Sequence, residues 1–429
     1  MSTHTTKIRS IASAPSPAPA PAPEADGLMS LLNSPNWFDP LEAGLRTKLR
    51  GFIEAVLEEE LGAILARDRY ARKGNEAHLA RVGYRHGHRS RELTTTLGKQ
   101  NIAVPRARLF NEDSSTREWK SKSLRAYQRR TGEVDALIAS AYLSGTNTRR
   151  VKRALGTLFK GTIGKDIVSR TWRKVKTDWD AWNARDLSGE NIVRLILDGT
   201  VVKTRVDRKA TSISLLVALG VRADGQKILL AVKDMGGESE AAWRAVLDDL
   251  PARGLCAPDF IIVDGAPGLE KALAGLWPRV PIQRCTVHKH RNLLANAPER
   301  LHDEISADYR DMIYAKTKDE MVKRRRQFLS KWRVKHAPVA KSLEEAGDNL
   351  FSFLRLAPDQ WKSARTTNAI ERLHEEFKRR IKTQTVLPCS ETAAMLFWAL
   401  VASGQIVMRR IDGWETLAQP IAHPVVLAA

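Results

Sequence analysis

Two apolar runs in this chain end the same way, Leu195-Ile-Leu-Asp198-Gly199 and Ile261-Ile-Val-Asp264-Gly265. An unbroken apolar run of this length predicts a strand buried on both faces, as in the middle of a covered sheet. Open α/β sheets place their sites just beyond the carboxyl ends of such strands, where both aspartates fall. If the two strands are parallel neighbours, both carboxylates emerge together. Ionised carboxylates crowded into a partly dry site repel, so they require a cation or a raised pKa. Hard oxygen ligands select Mg²⁺ or Mn²⁺, and a third carboxylate would complete a two-metal site. The plainer reading is that each Asp-Gly is only a turn, the commonest use of that dipeptide. Their occurrence as a pair on a basic chain weighs toward a site.

The segments around these runs predict an α/β domain with a mixed five-stranded sheet and flanking helices. Ile192–Leu197, Ser212–Val221 and Ile228–Lys233 read as three strands. Ser239–Arg253 follows as a helix with Trp243, Val246, Leu247 and Leu250 on one face. Then come strand Phe260–Val263, helix Leu269–Leu276 and a short strand near Ile282. Beyond His288 the chain turns helical and charged until about Gln360, and one more helix is expected around Asn368–Lys382.

The N-terminal half has a different texture. Residues 1–30 form a Pro/Ala-rich tail of linker composition. Leu45, Leu49, Phe52, Ile53, Val56, Leu57, Leu61 and Leu65 recur at helical spacing. Arg67–Arg108 carries eleven Lys/Arg against three acids, and Arg91–Pro105 alternates like a strand pair turning at Gly98. Next, Val134–Leu143 ends at Ser144–Gly145, Thr148 could cap a helix with Val151, Ala154 and Leu155, and Ile167–Val175 could form a third. With Arg170, Arg173 and Lys174 outward this resembles a helix-turn-helix, and an ordinary small helical bundle fits equally well.

The whole chain of 429 residues carries a formal charge of +21. That excess makes a polyanion the natural partner, because each neutralised phosphate releases condensed counterions. Three scattered cysteines (Cys256, Cys285, Cys389) cannot build a disulfide framework and point to a reducing cytosol. Ser10–Pro23 has no apolar core of a secretory signal. The longest apolar stretch, around Ala393–Ala402, is far short of the roughly 18 residues a membrane span needs. The expectation is a soluble cytoplasmic protein with no membrane partner.

Glu371, in Arg365-Thr-Thr-Asn-Ala-Ile-Glu-Arg-Leu373, is the candidate third carboxylate. Ile370, Leu373, Phe377 and Ile381 form one helical stripe, and Glu371 lies beside it. Asn368-x-x-Glu371 also fits a capping box, in which Glu371 would only satisfy backbone donors at the helix start. Cys285-x-x-His288 with His290 invites a zinc reading, but a structural zinc site wants four ligands and no second pair stands at a usual spacing. Packing around a short strand is the better account. Trp332 could stack on a base, although a core tryptophan is the simpler reading.

Six motifs in order along residues 45–410 give the chain a resemblance. They are Tyr84-Arg-His-Gly-His-Arg, Val104-Pro-Arg-Ala-Arg108, Leu197-Asp-Gly-Thr200, Ile262-Val-Asp-Gly265, Cys285-Thr-Val-His288 and Thr366-Thr-Asn-Ala-Ile-Glu-Arg372. The chain resembles the Mutator-type bacterial insertion-sequence transposases, and the threonine-rich Glu371 motif is the most specific of the six. The resemblance implies an RNase H-like catalytic domain with an all-helical insertion before the glutamate, preceded by helical DNA-binding domains. It implies that Asp198, Asp264 and Glu371 are the catalytic and metal-binding triad for two Mg²⁺ or Mn²⁺, with Cys285, His288 and Asn368 supporting the site. His86 and His88 occupy positions that vary among relatives, and the tail lies outside the pattern.

The expected organisation is then a tail at 1–30, a basic DNA-binding domain at 31–110 and a helix-turn-helix-like domain at 111–188. The catalytic domain spans 189–290 and 361–410, the helical insertion 291–360, and a C-terminal tail 411–429. The expected partners are transposon terminal inverted repeats and target DNA, with a homodimer on the DNA. Candidate DNA contacts are Arg85, Arg89, Arg106, Arg149, Arg170, Arg173, Lys174, Arg372, Lys378, Arg379 and Arg380, each of which could also be a solvated surface charge. Competing classes are a metal-dependent RNase H-like nuclease without strand joining, and a helix-turn-helix repressor with no need of Mg²⁺.

Overall fold

The computed structural model describes residues 40–66, 82–113, 115–145, 164–382 and 384–422, with positions 149, 151, 152, 155 and 159. The Pro/Ala-rich tail, the start of the basic segment and the middle of the helix-turn-helix expectation, Thr148 and Ala154 included, lie outside these residues. The chain divides into two compact units, Met1–Thr131 with Thr157–Lys160, and the remainder.

The first unit is built on a long helix, α1 (Pro40–Leu65), and an antiparallel sheet of β1 (Gly83–Thr95), β2 (Gly98–Phe110) and β3 (Thr116–Glu118) in that order. The β1–β2 hairpin closes where Thr95 pairs with Gly98, whose φ of +97° suits glycine. Leu57, Leu93, Ile102, Val104 and Leu124 form one apolar cluster, and Leu61, Ala107, Leu109 and Trp119 another. The strand pair expected to turn at Gly98 is present, whereas the expectation of helical DNA-binding domains ahead of the catalytic domain is corrected for this unit. Residues 98–110 alternate buried and exposed positions, a period-2 pattern that a helix cannot satisfy. Helices return in the second unit, with α2 (Gly132–Gly145) and α3 (Lys165–Asn183).

The second unit centres on a five-stranded sheet ordered β6-β5-β4-β7-β8. Its strands are β4 (Ile192–Val206), β5 (Lys209–Arg222), β6 (Lys227–Met235), β7 (Phe260–Val263) and β8 (Ile282–Arg284). The first three are an antiparallel meander, whereas β7 and β8 add in parallel. Asp207 and Arg208, both at positive φ, make the tight β4–β5 turn.

Helices α4 (Glu240–Ala252) and α5 (Pro267–Leu276) cover one face of this sheet. Trp243, Val246, Leu247, Leu250, Leu269 and Leu273 pack there with Leu195, Leu197, Ile261 and Val263. Since side chains alternate along a strand, Ile196, Asp198 and Thr200 face the other way.

From β8 onward every described element up to Ile381 is helical. It begins with α6 (Thr286–Ala295), α7 (His302–Ile313), α8 (Lys318–Lys335) and α9 (Ala337–Ala346). Trp332 is fully buried beside Phe328, its Nε1 donating to Asp308 Oδ2 at 2.9 Å, so it is a core tryptophan. The chain returns to the sheet as α10 (Asn368–Ile381) and α11 (Ser390–Ala402). The apolar stretch noted in the sequence is α11, buried from Ala393 through Leu400, as expected of a helix apolar all round. Among the described residues no helix is long and apolar enough to cross a membrane.

Candidate active site

Parallel pairing of β4 with β7 sets the site. Leu197 stands opposite Val263, so the next residues, Asp198 and Asp264, follow side by side. Strands lie about 5 Å apart, at which two ionised carboxylates repel by roughly 3 kcal/mol for an effective dielectric near 20. The two Asp-Gly pairs nevertheless differ. β4 runs on through Asp198 and Gly199 for seven further residues, to Val206, so the turn reading fails there. β7 stops at Val263, and Gly265 adopts φ +93°. From Asp198 on, β4 therefore has no paired neighbour on that side until Leu387 bridges Thr204, which leaves a short opening at the edge.

Asp198 is buried, with only 6% exposure. Its Oδ1 accepts from the Gly199 N–H at 3.0 Å, and its Oδ2 lies 3.3 Å from His374 Nδ1. Asp264 Oδ1 accepts from the Ala266 N–H at 2.9 Å. Burial pushes the Asp264 carboxyl above the ordinary range, and the charge of Asp198 adds to this against the Ala266 hydrogen bond and His288. Glu238, in the β6–α4 link, is a third acid here. Its pKa is also raised, by burial first and then by Asp264 and Asp198, with His288 opposing.

Glu371 arrives on α10, whose amphipathic stripe Ile370, Leu373 and Phe377 is buried. The N-cap is Thr367, not Asn368. The Glu371 carboxylate accepts the Thr367 hydroxyl at 2.9 Å, so a side chain holds it, not the backbone donors of a capping box. Its Oε1 lies 3.7 Å from His288 Nδ1, and Oε2 lies 3.8 Å from Arg291 Nη2. Ligand atoms of Cys285, His288 and Glu371 all fall within 4.8 Å of one another. The two aspartates and Glu371 do not form such a group among the described residues.

Cys285 and His288 start α6 directly after β8. Cys285 Sγ is buried and accepts from the Thr367 N–H at 3.4 Å. Burial would raise its thiol, but hydrogen bonds from His288 and Thr367 outweigh this and leave the pKa low. The bond to Cys285 is the main reason that His288 is pushed up to about 9, with Glu371 and Asp198 adding to it. His288 is thus the cationic group that senses all four acids, Asp198, Asp264, Glu238 and Glu371.

Asn368 contributes its N–H to Thr366 Oγ1 at 3.4 Å and, with Arg372, lines an open groove beside Lys227, Lys362, Arg409 and Arg410. Of the candidate DNA contacts, Arg85 pairs with Glu58, Arg106 with Glu118 at 2.8 Å, Lys174 with Asp135 and Arg379 with Glu376 at 2.6 Å. Arg380 reaches the Gln405 carbonyl. Arg89, Arg149, Arg170, Arg173, Arg372 and Lys378 are exposed. Geometry adds Glu238, His374, Thr367 and Arg291 to the site. Only His374 had a sequence signal, standing three residues after Glu371 and so on the same helix face. Glu238 precedes a helix, where an acid ordinarily reads as a dipole partner.

A mixed α/β sheet with flanking helices and carboxylates gathered at the β4/β7 edge defines a class compatible with RNase H-like domains. The sequence profile described as "Transposase, Mutator family" matches residues 29–406. The chain therefore belongs to the Mutator family of transposases. The transposase for insertion sequence element ISRM5 of Rhizobium meliloti (strain 1021) is 30% identical over 370 residues, 86% of this chain and 88% of that protein. The transposase for IS905 of Lactococcus lactis is 27% identical over 362 residues, 84% and 89% of the two chains. The transposase for IS256 in transposon Tn4001 of Staphylococcus aureus is 26% identical over 340 residues, 78% and 83%.

Proposed function

We propose that this chain binds the terminal inverted repeats of its own insertion sequence, cuts the element's ends and joins them to target DNA. Asp198, Asp264 and Glu371 hold two Mg²⁺ or Mn²⁺ ions in an RNase H-like domain, and the helices between β8 and α10 are its insertion. The observation that carries this reading is the β4/β7 register, which sends two carboxylates out of adjacent parallel strands. The oxygens of Asp198 and Asp264 fit a hard divalent cation, with Asp264 and Glu238 both destabilised as anions by burial and by their acidic neighbours, while Glu371 lies with Cys285 and His288. When bound, such cations acidify an attacking water and stabilise the departing 3′ oxygen.

The protein's own residues act by orientation. The Gly199 N–H and His374 fix the Asp198 carboxylate, and the Ala266 N–H fixes Asp264. Glu371 is held back by Thr367, one helical turn before His374 on α10. To hold a cation together with Asp198, Glu371 would have to give up the Thr367 contact. No carboxylate is a nucleophile. A freed 3′-hydroxyl would take the place of water, and each phosphorus–oxygen bond formed replaces one broken, so joining needs no energy cofactor.

DNA is held by the exposed Arg89, Arg170, Arg173 and Arg372, with a homodimer pairing the two ends. Asp264→Ala should abolish nicking of transposon-end DNA while leaving end binding within a few-fold of wild type. Gel-shift and nicking assays on the same preparation check this, and normal nicking by that variant would defeat the assignment.

A further inference from the structure

We propose that Glu238 is a fourth acidic ligand of the divalent-cation site, a role that rests on the metal-dependent reading above. Three features of the structure lead to it. First, the half-buried Glu238 carboxylate has no hydrogen-bond or ion-pair partner among the described residues, although it feels both Asp198 and Asp264. One cation, His288, opposes the shift of Glu238, but Asp264 and Asp198 act on it more strongly. An unpaired carboxylate in such surroundings costs free energy unless a cation is supplied from outside.

Second, the sequence makes room for it on both sides. A Cβ at Gly199 would stand 2.3 Å from Glu238 Oε1, and one at Gly268 would stand 3.0 Å from the Glu238 carbonyl oxygen. Neither glycine needs a positive φ, so their missing side chains matter here for space. Gly199 lets the carboxylate lie against β4, and Gly268 lets the β6–α4 link pack closely on the start of α5. Ser239, the next residue, caps α4 by accepting from the Ala242 N–H at 3.2 Å, which fixes the backbone that carries Glu238.

Third, the position is complementary to that of the aspartates. Gly199 points toward the α4/α5 face, on the side of Leu195 and Leu197, whereas Asp198 points to the face of α10. β7 ends at Val263 while β4 continues, so β4 has no paired neighbour on that side until Leu387 bridges Thr204. Asp198, within β4, and Asp264, just past the end of β7, border that stretch, and Glu238 comes to Gly199 from the α4/α5 side. Adding a carboxylate raises the ligand charge, a principal determinant of affinity for hard divalent ions.

Mn²⁺ binding to the metal-free full-length protein, followed by the paramagnetic signal of the unbound ion, reads this without calling on activity. Glu238→Gln, which keeps size and removes charge, should weaken Mn²⁺ binding by about tenfold or more. Gly199→Ala keeps every charge but sets a methyl against Oε1, so it should displace Glu238 and weaken binding in the same direction. Asp198→Asn serves as the reference for the site itself. Loss of binding in Asp198→Asn, with Glu238→Gln still within about twofold of wild type, would overturn the role of Glu238 and leave the proposed function standing. Wild-type binding by Asp198→Asn would remove the aspartate site, and both readings would fall together.

Discussion

Among single residues, His374 shows how a side chain beside a proposed metal-binding acid can matter without touching substrate. It is buried at 5% exposure, its Nδ1 faces Asp198, and its ring packs edge-on against Phe397 at 5.8 Å. Its Nε2 has no hydrogen-bond partner among the described residues, so the ring is placed for the sake of the other nitrogen. Groups that orient a metal-binding carboxylate typically govern affinity or rate by roughly 10- to 100-fold. His374→Ala should therefore slow Mg²⁺-dependent nicking by at least about tenfold while DNA binding is preserved. His374→Asn, which keeps a polar group near Asp198, should recover part of the rate. Equal rates for His374→Ala and wild type in a nicking time course would mean that the Asp198 contact is incidental.

Between elements, the site depends on how β4, β7 and α10 are fixed to one core. The sequence made β4, β7, α4 and α5 readable because their apolar periods are strong and agree with local propensity. It did not distinguish the two Asp-Gly pairs, because whether a dipeptide turns depends on how far its strand finds a partner. Asp198-Gly199 remains in β4 because β5 pairs with it along its whole length, whereas β7 has only four residues to pair. Glu238 was illegible for a related reason, since its meaning comes from Gly199 and Gly268, far away in sequence. The β-sheet of the first unit was half legible: the Arg91–Pro105 alternation announced the hairpin, but not that Thr116–Glu118 would extend it. On α10, Phe377 is fully buried against Phe397 at a ring distance of 4.9 Å. Phe377→Ala should cost about 3–5 kcal/mol of stability and loosen the helix that carries both Glu371 and His374. A shifted denaturant midpoint, followed by tryptophan fluorescence, checks the cost. An unchanged midpoint would show that α10 is not held by its apolar stripe.

Over the whole molecule, strong positive charge and an acid-lined edge coexist in a transposase of the Mutator family. The positive charge suits a chain that must hold DNA, and the local acids suit the proposed cation site. Strand transfer tests the central claim most directly. Full-length protein is given a pre-cut transposon end bearing a free 3′-hydroxyl, together with target plasmid, in Mg²⁺ or in chelator. The account predicts joined product in Mg²⁺, none in chelator, and none from Glu371→Ala despite retained end binding. Joining in chelator, or joining by Glu371→Ala at the wild-type rate, would contradict it.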